Sequence, residues 1–330
     1  IKYCSVDGKF QNILNKNRGQ QAIHDYYQRK FYRNQFTVLW QQMLDKKLAN
    51  NSLEIIENKN IFKFSPYNAL NGEQNEVSIK VINEIIDSFA NDKKGVSLVQ
   101  GCAGTGKTVL AISIINSLVN AINIDDRLLD IKAEAFEDDI DESKRNTLLR
   151  LKKYIQTQRG GKAFKIGFVF PMPGIRGTIK NVFKECGNGL VSEMVIGPTD
   201  VIKEDYDILF VDESHRLSKR KNLTGYKSFD DVSRSLDLEP TETNQLEWIL
   251  KSAKHVILFY DKTQSVKSSD ISHDEYENTL KKYNYVTNEH ILETQMRCEG
   301  GDTYLQYIKD VMACRRKRTR KYGKLRFSDF

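Results

Sequence analysis

Residues 101–108 read GCAGTGKT, entered from the apolar run GVSLVQ and left through the longer apolar run VLAISIINSLVNAI. The pattern is G-x-x-x-x-G-K-T. Glycines let consecutive backbone N–H groups turn inward around phosphate oxygens, and the following helix points its positive dipole end at them. A strand that enters such a loop and a helix that leaves it commit the chain to an α/β fold. In that context Lys107 reaches the β- and γ-phosphates of a nucleoside triphosphate, and the Thr108 hydroxyl sits on Mg²⁺. Gly101, Ala103, Gly104, Thr105 and Gly106 complete the cradle. A chance glycine-rich turn has no reason to sit between a strand pattern and a helix pattern.

The rest of the chain repeats this alternation. The short apolar runs GVSLVQ, KIGFVFP, DILFVDE and HVILFYD are separated by helical segments, and EVSIKVINEIIDSFA at 76–90 places Val77, Val81, Ile82, Ile85 and Phe89 on one helical stripe. Buried strands alternating with helices predict a doubly wound parallel sheet with ligands at the carboxyl ends of its strands. Residues 1–60 differ. Their stretch HDYYQRKFYRNQFTVLWQQMLDKKL carries Tyr27, Phe31, Val38 and Met43 near helical spacing, which predicts a helical segment. Its interleaved aromatic and basic residues suit base stacking, and the same spacing suits a core.

Composition narrows the class. With 39% hydrophobic and 29% charged residues the chain reads as a globular protein rather than a disordered one. It has no apolar run of about 18 residues and no signal-peptide pattern, so no membrane partner is expected and a cytoplasmic home is. Five scattered cysteines without a C-x-x-C pair predict neither a disulfide framework nor a zinc site. The net charge of +7 is concentrated in RRKRTRKYGKLR at 315–326, which holds eight Lys or Arg and no acid. That run suits a phosphate backbone, a solvated tail or the exposed face of a hairpin. The opposite run, EAFEDDIDE at 134–142, reads as a solvated loop. The chain opens on Ile1 and closes on FSDF without a helix stop or linker, so a piece of a longer protein is expected.

Three further strand ends carry chemistry. ILFVDESH at 208–215 delivers two adjacent carboxylates: Asp212 suits the Mg²⁺ shell and Glu213 suits the attacking water. ILFYDKTQSV at 257–266 places Asp261 at a strand end and Gln264 three residues on, where a glutamine can sense the γ-phosphate. From the sequence alone a solvent-facing turn is the simpler explanation of that glutamine. LETQMRC at 292–298 offers Arg297, whose planar fork of donors suits a transferring phosphate.

In order, GCAGTGKT, DESH, DKTQ and QMR resemble motifs I to IV of superfamily 1 helicases. FVDESHRLSKR, ILFYDKTQSVKSSDI and LETQMRCEGGDTYLQYIKDVM are similar to the Schlafen-type DNA/RNA helicase-like domain family, over roughly residues 64–330. The resemblance implies a P-loop NTPase fold of RecA-like type: a helical N-terminal segment at 1–60, a first lobe at 61–290 and the start of a second at 291–330. It implies ATP and Mg²⁺ as cofactors and single-stranded DNA or RNA as partner. Gln74, in LNGEQNEV, matches the glutamine that reads adenine. Arg176, Thr178 and Lys180 in VFPMPGIRGTIKNVF, and Thr199 in GPTD, fall where such motors touch a single strand. Met296 stands where many relatives carry an aromatic residue, and no match to the later motifs V and VI follows. Two rival functions share the phosphate loop: a phosphotransferase, which has no use for DKTQ and QMR, and a nucleotide-dependent switch or assembly module with protein partners, which ATP binding without turnover would favour.

Overall fold

The computed structural model describes residues 29–49, 51–52, 55, 59–66, 70–121, 139–223, 225–264, 267–283, 285–294, 310, 321–322 and 325–326. The chain divides into two compact units, Ile1–Lys63 and Phe64–Phe330. In the first, helix α1 (Arg29–Asp45) is followed by a single turn, α2 (Asn60–Lys63). Trp40 donates its indole N–H to the Asn51 carbonyl at 3.0 Å. Of the predicted stripe, Val38 is 57% exposed and Met43 half-buried, with neighbouring Phe36 and Leu39 at 46% and 44%; Tyr27 and the side chain of Phe31 lie outside the described residues.

The second unit is built around six parallel strands: β1 (Gly95–Gly101), β2 (Ile166–Val169), β3 (Val195–Ile196), β4 (Tyr206–Val211), β5 (Ala253–Tyr260) and β6 (Val286–Leu292). Their order across the sheet is β3-β2-β4-β5-β1-β6. All five pairings are parallel. This is the doubly wound α/β fold that the alternating runs predict. The short pair β7 (Lys321–Tyr322) and β8 (Leu325–Arg326) is antiparallel and lies within the basic run.

Alternation along each strand feeds two cores, because successive side chains in a strand point to opposite faces. Ile208, Phe210, Ile257 and Phe259 join one core with helices α3 (Gly72–Ala90), α4 (Lys107–Asn120), α5 (Asp139–Gln158) and α6 (Pro173–Cys186). Leu209, Val211, Val256 and Leu258 join the other with α7 (Tyr226–Ser235), α8 (Gln245–Ser252) and α9 (His273–Tyr283). Helix α4 is apolar nearly all round and correspondingly buried, with Leu110, Ile112 and Ile114 at 0% exposure. Truncating any of the three to alanine costs about 2–5 kcal/mol.

Helix α3 begins at a capping box. The Gln74 N–H donates to Asn71 Oδ1 at 2.7 Å while the Asn71 N–H donates to Gln74 Oε1 at 3.1 Å. Val77, Val81, Ile82 and Ile85 form its buried stripe as predicted. Phe89 is only partly buried and packs edge-on against Phe164, 4.9 Å between ring centroids.

One expectation needs correction. The acidic stretch is not a loop throughout: α5 begins at Asp139, so residues 139–142 lie in its first turn. Among the described residues no helix is long and apolar enough to cross a membrane.

Candidate functional site

The sheet order places the carboxyl ends of β4, β5 and β1 side by side, and three loops leave from there. The first, residues 102–106, ends in the left-handed region at Gly104 (φ 92°) and Gly106 (φ 80°), the latter being the N-cap of α4. Gly101 meets a different constraint. A Cβ there would lie 2.6 Å from Thr105 Oγ1 and 3.1 Å from the Leu292 carbonyl oxygen. The loop closes on itself through Thr105 Oγ1, which donates to the Cys102 carbonyl at 3.0 Å. The Lys107 ammonium donates to the carbonyls of Gly101 and Cys102 at 2.7 and 3.1 Å. Its Nζ is also 3.9 Å from Asp261 Oδ2. Only 6% exposed, Lys107 is held over the loop by oxygen atoms alone.

The second loop follows β4. Thr108 Oγ1 donates to Asp212 Oδ2 at 2.6 Å, joining the start of α4 to the strand end. Asp212 is 1% exposed. Burial, aided by the charge of neighbouring Glu213, pushes its carboxyl up to about 6 against the opposing pull of Thr108 and Lys107. Glu213 adopts a left-handed backbone (φ 50°), which is uncommon for a residue with a Cβ. Burial acts to raise the Glu213 carboxyl too. The hydrogen bond from His215, together with the Lys107 charge, outweighs it and holds Glu213 below the usual range. Ser214 ties this loop to β5: its hydroxyl donates to the Phe259 carbonyl at 2.9 Å. With that hydrogen spent, the Tyr276 hydroxyl, also 2.9 Å away, must be the donor to Ser214.

His215 links the second loop to the third. The Asp261 N–H approaches His215 Nδ1 at 3.4 Å, so that nitrogen accepts and the proton sits on Nε2. Nε2 lies 3.1 Å from Glu213 Oε2 and 3.3 Å from Gln264 Oε1. Gln264 in turn donates its amide to Asp261 Oδ2 at 2.9 Å, while Asp261 Oδ1 accepts from Thr263 N–H and Oγ1 at 2.9 and 2.7 Å. Burial works against the Asp261 carboxylate, but these donors together with Lys107 hold it below the usual range. A continuous polar path therefore runs Glu213, His215, Gln264, Asp261, Lys107. His215 carries no signal in the sequence, since one histidine after D-E-S has no periodicity or spacing that sets it apart. Only the folded arrangement exposes it.

The structure brings Lys107, Thr108, Asp212, Glu213 and Gln264 to one place. It gives Gln74 an unexpected position. Buried at 1% exposure, Gln74 donates Nε2 to the Thr105 carbonyl at 3.0 Å and spends Oε1 on the Asn71 N–H. One end of the amide thus ties α3 to the glycine loop and the other closes the cap of α3. Arg297 lies outside the described residues.

The donor set suits a magnesium-bound polyphosphate. Lys107 already points two donors at loop carbonyl oxygens and lies 3.9 Å from Asp261 Oδ2, and Gly104 and Gly106 hold the loop in positive-φ conformations. Thr108 and Asp212 offer a hydroxyl and one carboxylate. Mg²⁺ commonly takes one or two carboxylates plus substrate phosphates and water, so no larger cluster is required. Among the described residues there is no group of three or more His, Cys, Asp or Glu able to hold a metal.

A family model described as Schlafen group 3, DNA/RNA helicase domain matches residues 94–328. The chain belongs to this family. Comparison with curated proteins returns no significant match. For a Schlafen-family helicase-like domain, the face beside the three loops is of interest. Arg176, Thr178 and Lys180 lie in the first two turns of α6, and Thr199 lies in the 3₁₀ turn Pro198–Ile202. Arg176 lies over Gly197: a Cβ on that glycine would be 2.6 Å from Arg176 Nη1 and 3.3 Å from Asp200 Oδ2. The Gly197 N–H donates to Asp200 Oδ2 at 2.9 Å. Arg176 thus lies close over the GPTD turn in this Schlafen-family chain, where its charge helps lower the Asp200 carboxyl, while Lys180 is exposed on the same helix.

Proposed function

We propose that this Schlafen-family domain binds ATP with Mg²⁺ and hydrolyses it in a cycle coupled to a bound single strand of DNA or RNA. The observation that carries the reading is the convergence of three strand ends on one polar path, from Lys107 in the glycine loop through Asp261 and Gln264 to His215 and Glu213. The path lies at the carboxyl ends of three neighbouring parallel strands, where ligands of such folds are held.

Each residue has a role in this reading. The glycine loop and the N-terminus of α4 receive the phosphates, and Lys107 exchanges two loop carbonyls for β- and γ-phosphate oxygens. Thr108 and Asp212 hold the metal, which supplies charge neutralisation at the phosphates when bound. Glu213 orients a water and accepts its proton, with His215 donating to the far side of the carboxylate. Gln264 stands where loss of the γ-phosphate can be felt and passed to Asp261. Arg297 supplies a further positive group. Gln74 braces the loop, and reads the adenine edge only by exchanging its bond to Thr105 or Asn71 for the base. Lys180 and Thr178 on α6, with Thr199, meet the strand. The organisation proposed alongside is a helical segment at 1–60, a first RecA-like lobe at 61–290 and the start of a second at 291–330.

The test is ATP turnover in the complete natural protein carrying Glu213→Gln. The reading expects turnover to fall by at least ~100-fold, the usual contribution of a general base, while nucleotide still binds. Unchanged turnover sinks it.

A further inference from the structure

Adjacent residues in the first turn of α3 reach two different segments. Gln74 Nε2 donates to the Thr105 carbonyl in the glycine loop at 3.0 Å. Glu73 reaches the chain just beyond β6: Oε1 accepts the Glu293 N–H at 2.7 Å and Oε2 accepts the Thr294 N–H at 3.1 Å. A carboxylate that takes two successive backbone N–H groups, one on each oxygen, fixes the direction of the chain as well as its place. Three residues past Thr294 stands Arg297.

The turn that carries both arms is rigid. The capping box closes it from Asn71, and the buried stripe of α3 anchors the helix beneath it. Farther along the helix, Ser97 Oγ of β1 donates to Glu84 Oε2 at 2.5 Å, and His290 of β6 approaches the same carboxylate at 3.0 Å. The loop and the strand exit also touch directly, because Gly101 pairs with Leu292 in register. A displacement of Thr105 cannot leave Gln74 behind without breaking a buried hydrogen bond, and Glu73 is its neighbour on the same turn.

We infer that Glu73 is a positioning residue that, with Gln74, couples the glycine loop to the chain leaving β6 toward Arg297. This rests on the proposed nucleotide site. When Lys107 releases the loop carbonyls to phosphate oxygens, the loop relaxes against Gln74, and the turn carries that change to residues 293 and 294. Coupling of this kind needs a contiguous set of contacts with two arrangements, and the α3 turn supplies the contiguous set.

Hydrogen exchange of the chain, with and without Mg²⁺ and a non-hydrolysable ATP analogue, tests it. Without nucleotide, Glu73→Ala speeds exchange at the Glu293 and Thr294 amides by about tenfold or more, the effect of losing a charge-assisted acceptor. The melting temperature stays within about 2 °C, because the pair is exposed. With the analogue, the wild-type chain gains protection at 101–110 and changes exchange at 290–297. Glu73→Ala keeps the first response and loses the second. In the complete protein Glu73→Ala lowers kcat with KM for ATP unchanged, and adds nothing to Arg297→Ala. Unaltered exchange at 293 and 294 in Glu73→Ala overturns the tether. A nucleotide response at 290–297 that survives the substitution, or kinetic effects additive with Arg297→Ala, overturns the coupling. Absence of protection at 101–110 in the wild type would instead strike the nucleotide site itself, and the coupling with it.

Discussion

Thr108 and Asp212, 104 residues apart in the chain, are joined by a 2.6 Å hydrogen bond from hydroxyl to buried carboxylate. The bond locks the start of α4 to the end of β4 and leaves Asp212 Oδ1 with the Glu213 N–H at 3.1 Å. The two side chains that the metal reading needs are thus already adjacent.

Replacing either partner separates binding from chemistry. Asp212→Asn keeps the size and the hydrogen bond from Thr108 but removes the charge. Loss of several kcal/mol of charge stabilisation corresponds to a fall in ATP turnover of at least ~100-fold. Thr108→Ala is expected to do the same and to raise the Mg²⁺ concentration needed for half-maximal turnover. A magnesium titration of both variants checks this. A Mg²⁺ requirement identical to wild type in both would count against their role.

His215 offers a sharper test, because it touches Glu213 and Gln264 but points at neither loop glycine nor Lys107. His215→Ala should lower kcat by about tenfold, the equivalent of ~1.4 kcal/mol, with KM for ATP little changed. The acid limb of the pH–rate profile should also move to higher pH, since the hydrogen bond that helps hold the Glu213 carboxyl down is removed. Steady-state kinetics between pH 5 and 8 decide it. A pure KM effect with an unmoved profile contradicts the relay.

Much of this was legible before folding. GCAGTGKT named its own context, and the apolar runs before Asp212 and Asp261 marked the strand ends that converge beside it. Two strands were missed. Val195–Ile196 is only two residues long, and Val286–Leu292 is an edge strand whose alternation of exposed polar and buried residues reads weakly. Sheet order was invisible because it depends on long-range pairing. The contacts of His215, Glu73 and Gln74 were invisible for the same reason. Their partners stand 46, 220 and 31 positions away, where no local pattern reaches. Gln74 shows how one residue satisfies two readings, being at once the cap of α3 and the neighbour of the loop.

The α6 face yields a prediction about nucleic acid. Lys180 is exposed, whereas Arg176 is half-buried close over Gly197 and near the Asp200 carboxylate. Lys180→Ala should weaken binding of single strands about equally across sequences and reduce the salt slope by about one. Arg176→Ala should instead loosen the GPTD turn. Binding isotherms from 50 to 200 mM salt check this, and an unchanged slope for Lys180→Ala would remove that residue from the strand path.

His255 predicts a pH dependence of stability. It is 1% exposed, with Ser88 Oγ 2.7 Å from Nδ1 and Ser97 Oγ 2.9 Å from Nε2. Ser97 spends its hydrogen on Glu84, so Nε2 donates and Nδ1 accepts, which is the neutral ring. Burial pushes its pKa down to about 3. The unfolded chain, near the ordinary 6.5, then binds the extra proton between those limits. His255 therefore costs no stability above pH 6.5, and below it stability falls by up to ~1.4 kcal/mol per pH unit. Urea unfolding of wild type and His255→Gln at pH 7.5, 5.5 and 4.5 should show a shallower acid loss in the variant. Parallel curves would contradict the assignment.

The central claim is tested most directly by ATP turnover of the complete natural protein with and without single-stranded DNA and RNA, with Lys107→Ala as the blank. Turnover that depends on Lys107 and rises in the presence of one of the two polymers is the predicted result. Turnover that neither polymer alters, or that survives in Lys107→Ala, would contradict it.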